Sequence, residues 1–549
     1  MENSIIKNVN SSNTVGALAI VISCVLLFLF LFFPEGFITG TSEYWKTENG
    51  DITQYVSGFN SYFKAPWSWP LLAFDSFNYP EGTRATFVDI IPAYSLALKV
   101  LVPESFFPFN PFGYWVALSF LMQGVAAWWI LKELKINSWA ALIAVSVMFV
   151  LSPTLMARLG HISLMTHWLL LFSFALYIRS TALDRVQFKV FIILLTFSFY
   201  INIYLFVMCF SIYVATILHL WNQHDLREKM LFFVFPVLIL FLTMLITLLP
   251  FPLSGISKDW GFGYYSMNIL SPITGGDLIK INGMPRPGQG EGFNYLGLGV
   301  LVLFIWAVSL DKKNNYEYLL RHKSLLALLV LFTVYSLSNQ VYWGNVQIAT
   351  IEYPNIMDKI TSQFRASGRF FWPVGYAIVI YSVVIISRRT PKLVGALVLL
   401  IFTVIQTIDL NDRLDIFSSS LAKKAHVVID PKAMDSFFDN DVSEIYFYPK
   451  FRCPTKSSTH NTLLPLMKYV SERGMKMNTG YIARHAPPCT GIKEEVAAVI
   501  NNPAAFVFVQ EDYVDVKVIE GFFPAGIELD CILESKMHIC QVYKRHDFN

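Results

Sequence analysis

Apolar residues in this chain are gathered into long uninterrupted runs, and that distribution constrains the fold more than any motif does. The runs cover residues 14–33, 112–131, 138–156, 163–177, 188–221, 230–249, 295–310, 325–337, 371–386 and 393–408. Crossing a hydrocarbon core of roughly 30 Å takes about twenty helical residues, and backbone polar groups inside it must be satisfied within the segment. Each run is therefore read as a membrane-spanning helix. As a single helix, 188–221 would be about 50 Å long, so it is read as two spans meeting near Asn202. The expected fold is an α-helical polytopic membrane protein with about eleven spans. Composition agrees, because the 549 residues are 54% hydrophobic and only 15% charged, against about 25% charged in soluble domains. The net charge of +3 is small and scattered, which argues against a nucleic-acid partner.

The first run follows a short polar start with Lys7 and precedes Pro34-Glu35-Gly36-Phe37, which lacks a small-residue cleavage pattern. It is expected to be a retained signal anchor. Cations near helix ends favour the cytoplasmic side. With the N-terminus inside, the inner loops carry Lys132 and Lys135, then Arg179, Arg185 and Lys189, then Arg227 and Lys229. The later inner loops carry Lys312, Lys313, Arg321 and Lys323, then Arg388, Arg389 and Lys392. The odd number of spans then divides the chain into a transmembrane domain, 1–408, and an extracytoplasmic domain, 409–549. Four of the six cysteines, Cys453, Cys489, Cys531 and Cys540, lie in that tail. An even set without CxxC spacing suits disulfides in an oxidising compartment better than zinc. Cys531 and Cys540 sit in two strand-like runs, 527–533 and 538–544, expected to form a bridged hairpin, which leaves Cys453 with Cys489. Strand candidates 443–448 and 504–510 and helix candidates 463–473 and 491–501 make the tail an α/β domain. Cys24 and Cys209 fall in apolar runs and read as small buried hydrophobes.

Three long external loops, 34–111, 250–294 and 338–370, fall on the same face as the tail, and function is most often built on such loops. Asp51 precedes a helix-like stretch and reads either as a helix N-cap or as a general base, which needs a carboxylate within reach of a hydroxyl. Asp75 and Asp89 lie further along the same loop. Arg158 and His161 stand at the outer end of the third span, and Arg365 and Arg369 just ahead of the tenth. Those two share a face if their segment is helical. Arginines at an outer surface run against the positive-inside tendency and suit an anion such as phosphate, or else they snorkel to headgroups or pair with a loop carboxylate. His161 and His167 do not share a helical face, so no metal is assigned. Gly288-Gln289-Gly290-Glu291-Gly292 lacks the setting of a nucleotide loop and reads as a flexible external loop. Glu291 and Tyr295 are candidate pocket residues at the mouth of the eighth span.

With Gly50-Asp51-Ile52-Thr53-Gln54-Tyr55 in a long first external loop, the layout over about residues 15–410 resembles the GT-C superfamily of membrane glycosyltransferases. Arg158-Leu159-Gly160-His161 and Arg365-Ala366-Ser367-Gly368-Arg369-Phe370-Phe371-Trp372-Pro373 are similar to segments of a bacterial branch of GT-C-like proteins. The resemblance implies a polyprenyl-phosphate-linked sugar donor and a glycan acceptor at the outer face of a bacterial inner membrane. Asp51 would be the base, with Asp89 orienting base or acceptor. Arg365, Arg369, Arg158 and His161 would bind the donor phosphate. Some members use a divalent metal at the acidic site, but this sequence shows no clear ligand cluster for one. The first loop has no Asp-Asp or Glu-x-Asp pair, so Asp51 would act with a partner distant in sequence. Two other functions compete: a transporter or flippase of lipid-linked sugars, and a non-catalytic envelope polysaccharide assembly protein. Mid-span positions are almost wholly apolar, which favours the surface enzyme over the transporter.

Overall fold

The computed structural model describes residues 2–251, 260–281, 286–310, 312–438 and 441–542. Parts of the expected second external loop, 252–259 and 282–285, lie outside the described residues. So do the end of the last expected strand, from 543, and the side chains of Lys7, Lys312 and Lys313.

Helices form over every apolar run. Among the described residues, seven are long and apolar enough to cross a membrane: Thr14–Phe32, Phe112–Glu133, Trp139–Met156, Ile162–Ala182, Leu226–Thr247, Ser367–Arg389 and Lys392–Asp409. Phe188–Phe199, Ile203–His219, Leu298–Leu310 and Lys323–Leu337 are apolar but shorter, at 10–17 residues. The most apolar stretch of Leu226–Thr247 is only 11% buried. Met230, Val234, Val237 and Phe241 are among its exposed side chains. Water would not tolerate such a surface and lipid would, so the chain is a membrane protein. The long run breaks at Asn202, whose side chain accepts from the Tyr204 backbone N–H at 3.0 Å and donates to Ser163 Oγ at 3.0 Å. This N-cap starts the second helix of the pair.

The chain divides into two compact units. The first comprises Met1–Pro34, Tyr114–Ile239 and Asp259–Leu421; the second comprises Glu35–Gly113, Leu240–Lys258 and Ala422–Asn549. The helix Asn411–Leu421 thus groups with the spans, and the first external loop groups with the tail rather than with the spans it connects.

Within the second unit, a five-stranded sheet runs in the order Lys476–Met477, Glu444–Tyr448, Ala504–Val509, Met537–Val542, Leu529–Glu534. The first pairings are parallel and the last two antiparallel. Helices Leu463–Glu472 and Ile492–Val499 complete the expected α/β arrangement. Segments of the first loop extend the sheet edge, with a parallel bridge between Phe77 and Met477. Lys476 pairs with Asp75 at 2.8 Å, and Gln54 Nε2 donates to the Tyr481 carbonyl at 2.9 Å. Glu48 accepts from the backbone N–H groups of Val428 and Ile429 at 2.7 and 3.0 Å.

Both expected disulfides are present, Cys453–Cys489 and Cys531–Cys540, the latter between directly paired hairpin residues. The first closes a loop of 36 residues and the second one of 9. On loop-closure entropy, losing the first by double serine substitution should cost about 4 kcal/mol and losing the second about 2.5 kcal/mol. Thermal unfolding of the two variants should therefore show the larger loss for Cys453–Cys489.

Candidate functional site

In the first unit, three of the sequence candidates converge on the carboxylate of a fourth, Glu291. Arg158 Nη1 donates to Glu291 Oε2 at 2.6 Å, and Arg369 donates to the same oxygen through Nε at 3.1 Å and Nη2 at 2.7 Å. His161 Nε2 lies 3.3 Å from Oε1. The second guanidinium nitrogen of Arg158 donates to the Gly290 carbonyl at 3.0 Å, and Arg369 lies over the Tyr204 ring at 4.8 Å. Only 5% of the Arg158 side chain and 23% of the Glu291 side chain are exposed.

Backbone approach sets this geometry. The expected flexible loop at Gly288–Gly292 is instead an ordered 3-10 turn, Gln289–Gly292, packed against a second turn, Ser367–Phe371. A Cβ added at Gly368 would lie 2.4 Å from the Gly292 Cα, so contact at this depth requires glycine. Buried Asn294 locks the two turns, its amide donating to the Gly292 and Gly368 carbonyls at 3.0 and 2.9 Å. Glu291 is thus a fixed hub rather than a loose pocket residue. Burial pushes its carboxyl up, but the His161 hydrogen bond and the Arg369 and Arg158 charges outweigh that and hold it well below the usual carboxylate range. Burial also lowers the Arg158 guanidinium against the opposing pull of Glu291. Among the described residues, two guanidiniums and one imidazole thus meet on one carboxylate.

Other candidates lie apart from this hub. Arg365 and Arg369 do not share a helical face, because the turn that carries Arg369 begins only at Ser367. Arg365 donates to the Trp260 carbonyl at 3.1 Å and lies over the Tyr265 ring at 5.4 Å. Tyr295 donates to Asp409 Oδ2 at 2.6 Å. That fully buried carboxylate also accepts from the backbone N–H groups of Leu298 and Leu278, so the pair reads as structural.

Asp51 and Asp89 belong to the second unit. Asp51 is the first residue of Asp51–Lys64, with Gly50 in the N-cap position, so it is not the cap itself. That helix is buried from Ile52 to Phe63, and Asp51 is its half-exposed end. Tyr55, one turn on and on the same face, donates to Asp89 Oδ2 at 3.2 Å. Asp89 and Ile91 both hold left-handed backbones, at φ 61° and 55°. Such strain in a β-branched residue is rare and concentrates at functional positions. Burial, with the Asp51 carboxylate nearby, raises the Tyr44 phenol.

A family described as Domain of unknown function (DUF6311) matches residues 21–411, and a DUF6311 C-terminal domain matches residues 433–526. The chain belongs to the DUF6311 family. No curated protein matches it. The DUF6311 region contains the Glu291 hub as well as Asp51 and Asp89, and the C-terminal domain contains Cys453 and Cys489. Within the DUF6311 spans the structure also shows a polar cluster that sequence reasoning missed. Buried Tyr376 hydroxyl accepts from Gln123 Nε2 at 3.0 Å and bonds His167 Nδ1 at 2.9 Å, with the imidazole over the Trp372 ring at 4.2 Å. Polar residues buried in apolar runs were the available signal, and the three lie far apart in sequence. Among the described residues, no three His, Cys, Asp or Glu side chains gather as metal ligands.

Proposed function

We propose that this protein is an inverting membrane glycosyltransferase of GT-C type. It moves a sugar from a polyprenyl-phosphate donor to a cell-surface glycan, such as a lipopolysaccharide side chain. In this reading the chain makes about eleven spans of a bacterial inner membrane, with the N-terminus cytoplasmic and the tail periplasmic.

The observation that carries the proposal is the Glu291 hub, where Arg158 and Arg369 are held in fixed orientations. Cations prepositioned in a partly desolvated setting stabilise negative charge at little reorganisation cost. The charge to be met is the lipid phosphate that leaves as the sugar departs. Asp51 is the proposed base. It takes the proton of the acceptor hydroxyl while that oxygen bonds the anomeric carbon, the bond to the phosphate oxygen breaks, and the configuration inverts. Asp89, tied to Tyr55, supports the base or the acceptor. Arg365 is an auxiliary contact for the donor.

A transporter or flippase of lipid-linked sugars is the second reading, and the Gln123–Tyr376–His167 cluster favours it because polar groups within spans often line transport paths. Mass spectrometry of surface glycans from cells with and without the protein tests the proposal. The transferase reading expects one sugar substitution to disappear on deletion. Unchanged glycans would rule it out, and loss of whole glycan chains would favour the transporter.

A further inference from the structure

A cavity of about 710 Å³ opens in the first unit among the helices Trp168–Ala182, Leu298–Leu310, Lys323–Leu337 and Trp372–Arg389. Its size falls in the range of roughly 300–1,000 Å³ typical of ligand sites. None of its lining residues belongs to the Glu291 hub. Along Trp372–Arg389 the lining runs from Val374 to Arg388, about 21 Å at 1.5 Å per residue, against a hydrocarbon core of roughly 30 Å. Phe304, Leu329, Val330 and Ile378 make the wall apolar over this length. A long apolar cavity between membrane helices fits a hydrocarbon chain.

One end is different in character. Arg321 and Arg388 line it together with Tyr318, whose phenol feels both charges. Glu133 also lines this end, but its Oε1 already accepts from Arg179 Nη1 at 2.9 Å and Trp129 Nε1 at 3.0 Å. Among the described residues neither Arg321 nor Arg388 is ion-paired with a carboxylate. Arg388 Nη2 donates to the Leu134 carbonyl, at 3.1 Å. His322 is turned to Tyr177, whose hydroxyl lies 2.8 Å from its Nδ1.

We propose that this cavity is a binding site for an anionic phospholipid, its chain along Val374–Ile378–Leu329 and its phosphate at Arg321 and Arg388. Guanidinium pairs grip phosphate oxygens in a fixed fork. A zwitterionic headgroup would bring its own ammonium to the same two cations, so the site selects net negative charge. This inference does not depend on the transferase reading.

The test is native mass spectrometry of the purified full-length chain in mild detergent, titrated with equal phosphatidylglycerol and phosphatidylethanolamine. The proposal expects at least a tenfold excess of the phosphatidylglycerol adduct. Arg321→Gln with Arg388→Gln should erase that preference, and Ala377→Trp, which intrudes on the cavity, should reduce both adducts. Should the variants fail to fold, thermal unfolding of the intact chain decides: phosphatidylglycerol should raise Tm and phosphatidylethanolamine should not. Equal binding of the two lipids, a preference that survives the double substitution, or a bound polyprenyl phosphate in place of phospholipid would each overturn the proposal.

Discussion

Glu291→Gln is expected to lower the stability of the protein by about 3 kcal/mol and to abolish the proposed sugar transfer. Removing the hub carboxylate leaves two guanidiniums facing one another, one of them almost fully buried, and breaking a buried ion pair from one side typically costs roughly 3–5 kcal/mol. The lower end of that range applies because Glu291 is 23% exposed. The contrast is the surface pair Lys46–Glu43, whose side chains are 57% and 54% exposed. Glu43→Gln there should shift Tm hardly at all. Thermal unfolding of both variants in detergent makes the comparison. A pH signature accompanies it. The folded carboxyl of Glu291 is held below its unfolded value of about 4.3, so its contribution is complete above that pH and is lost as pH falls toward the folded value. Between about pH 5 and 3 the intact chain should therefore lose Tm more steeply than Glu291→Gln.

Asp51→Asn should reduce the proposed transfer by roughly 10²–10⁴-fold while leaving the unfolding profile close to that of the intact chain. The amide keeps the size of the carboxylate but cannot take a proton, and the helix start does not use the Asp51 side chain as its cap. Asp89→Asn is the informative companion. Asparagine tolerates the left-handed backbone at this position and still accepts from Tyr55. A smaller loss is expected there, consistent with a supporting role.

What the sequence made legible followed from local patterns. Apolar runs marked every helix of the spans, and the excess length of 188–221 located the break at Asn202, where the side chain caps the next helix. Two strand-like runs each carrying a cysteine located the hairpin disulfide Cys531–Cys540. Helix lengths were less legible, since among the described residues four apolar helices end before reaching spanning length as straight segments. The members of the Glu291 hub were legible as candidates, but the choice of Glu291 as their common partner was not. Its partners stand 133 and 78 residues away, and nothing local separates a hub carboxylate from a loop glutamate. The glycines flanking Glu291 suggested looseness, whereas in three dimensions they permit the backbone contact between Gly292 and Gly368 that fixes it. The joining of the first external loop to the tail sheet had no signal either, because it rests on a backbone bridge at Phe77 and scattered contacts such as Lys476 to Asp75.

The most direct measurement is donor turnover by the purified protein in detergent, supplied with polyprenyl-phosphate sugars and with glycan acceptor extracted from deletion cells. The transferase account predicts release of polyprenyl phosphate together with an acceptor heavier by one sugar, and loss of both products with Asp51→Asn and with Glu291→Gln. A folded, intact protein that leaves every donor unconsumed in the presence of that acceptor would contradict it.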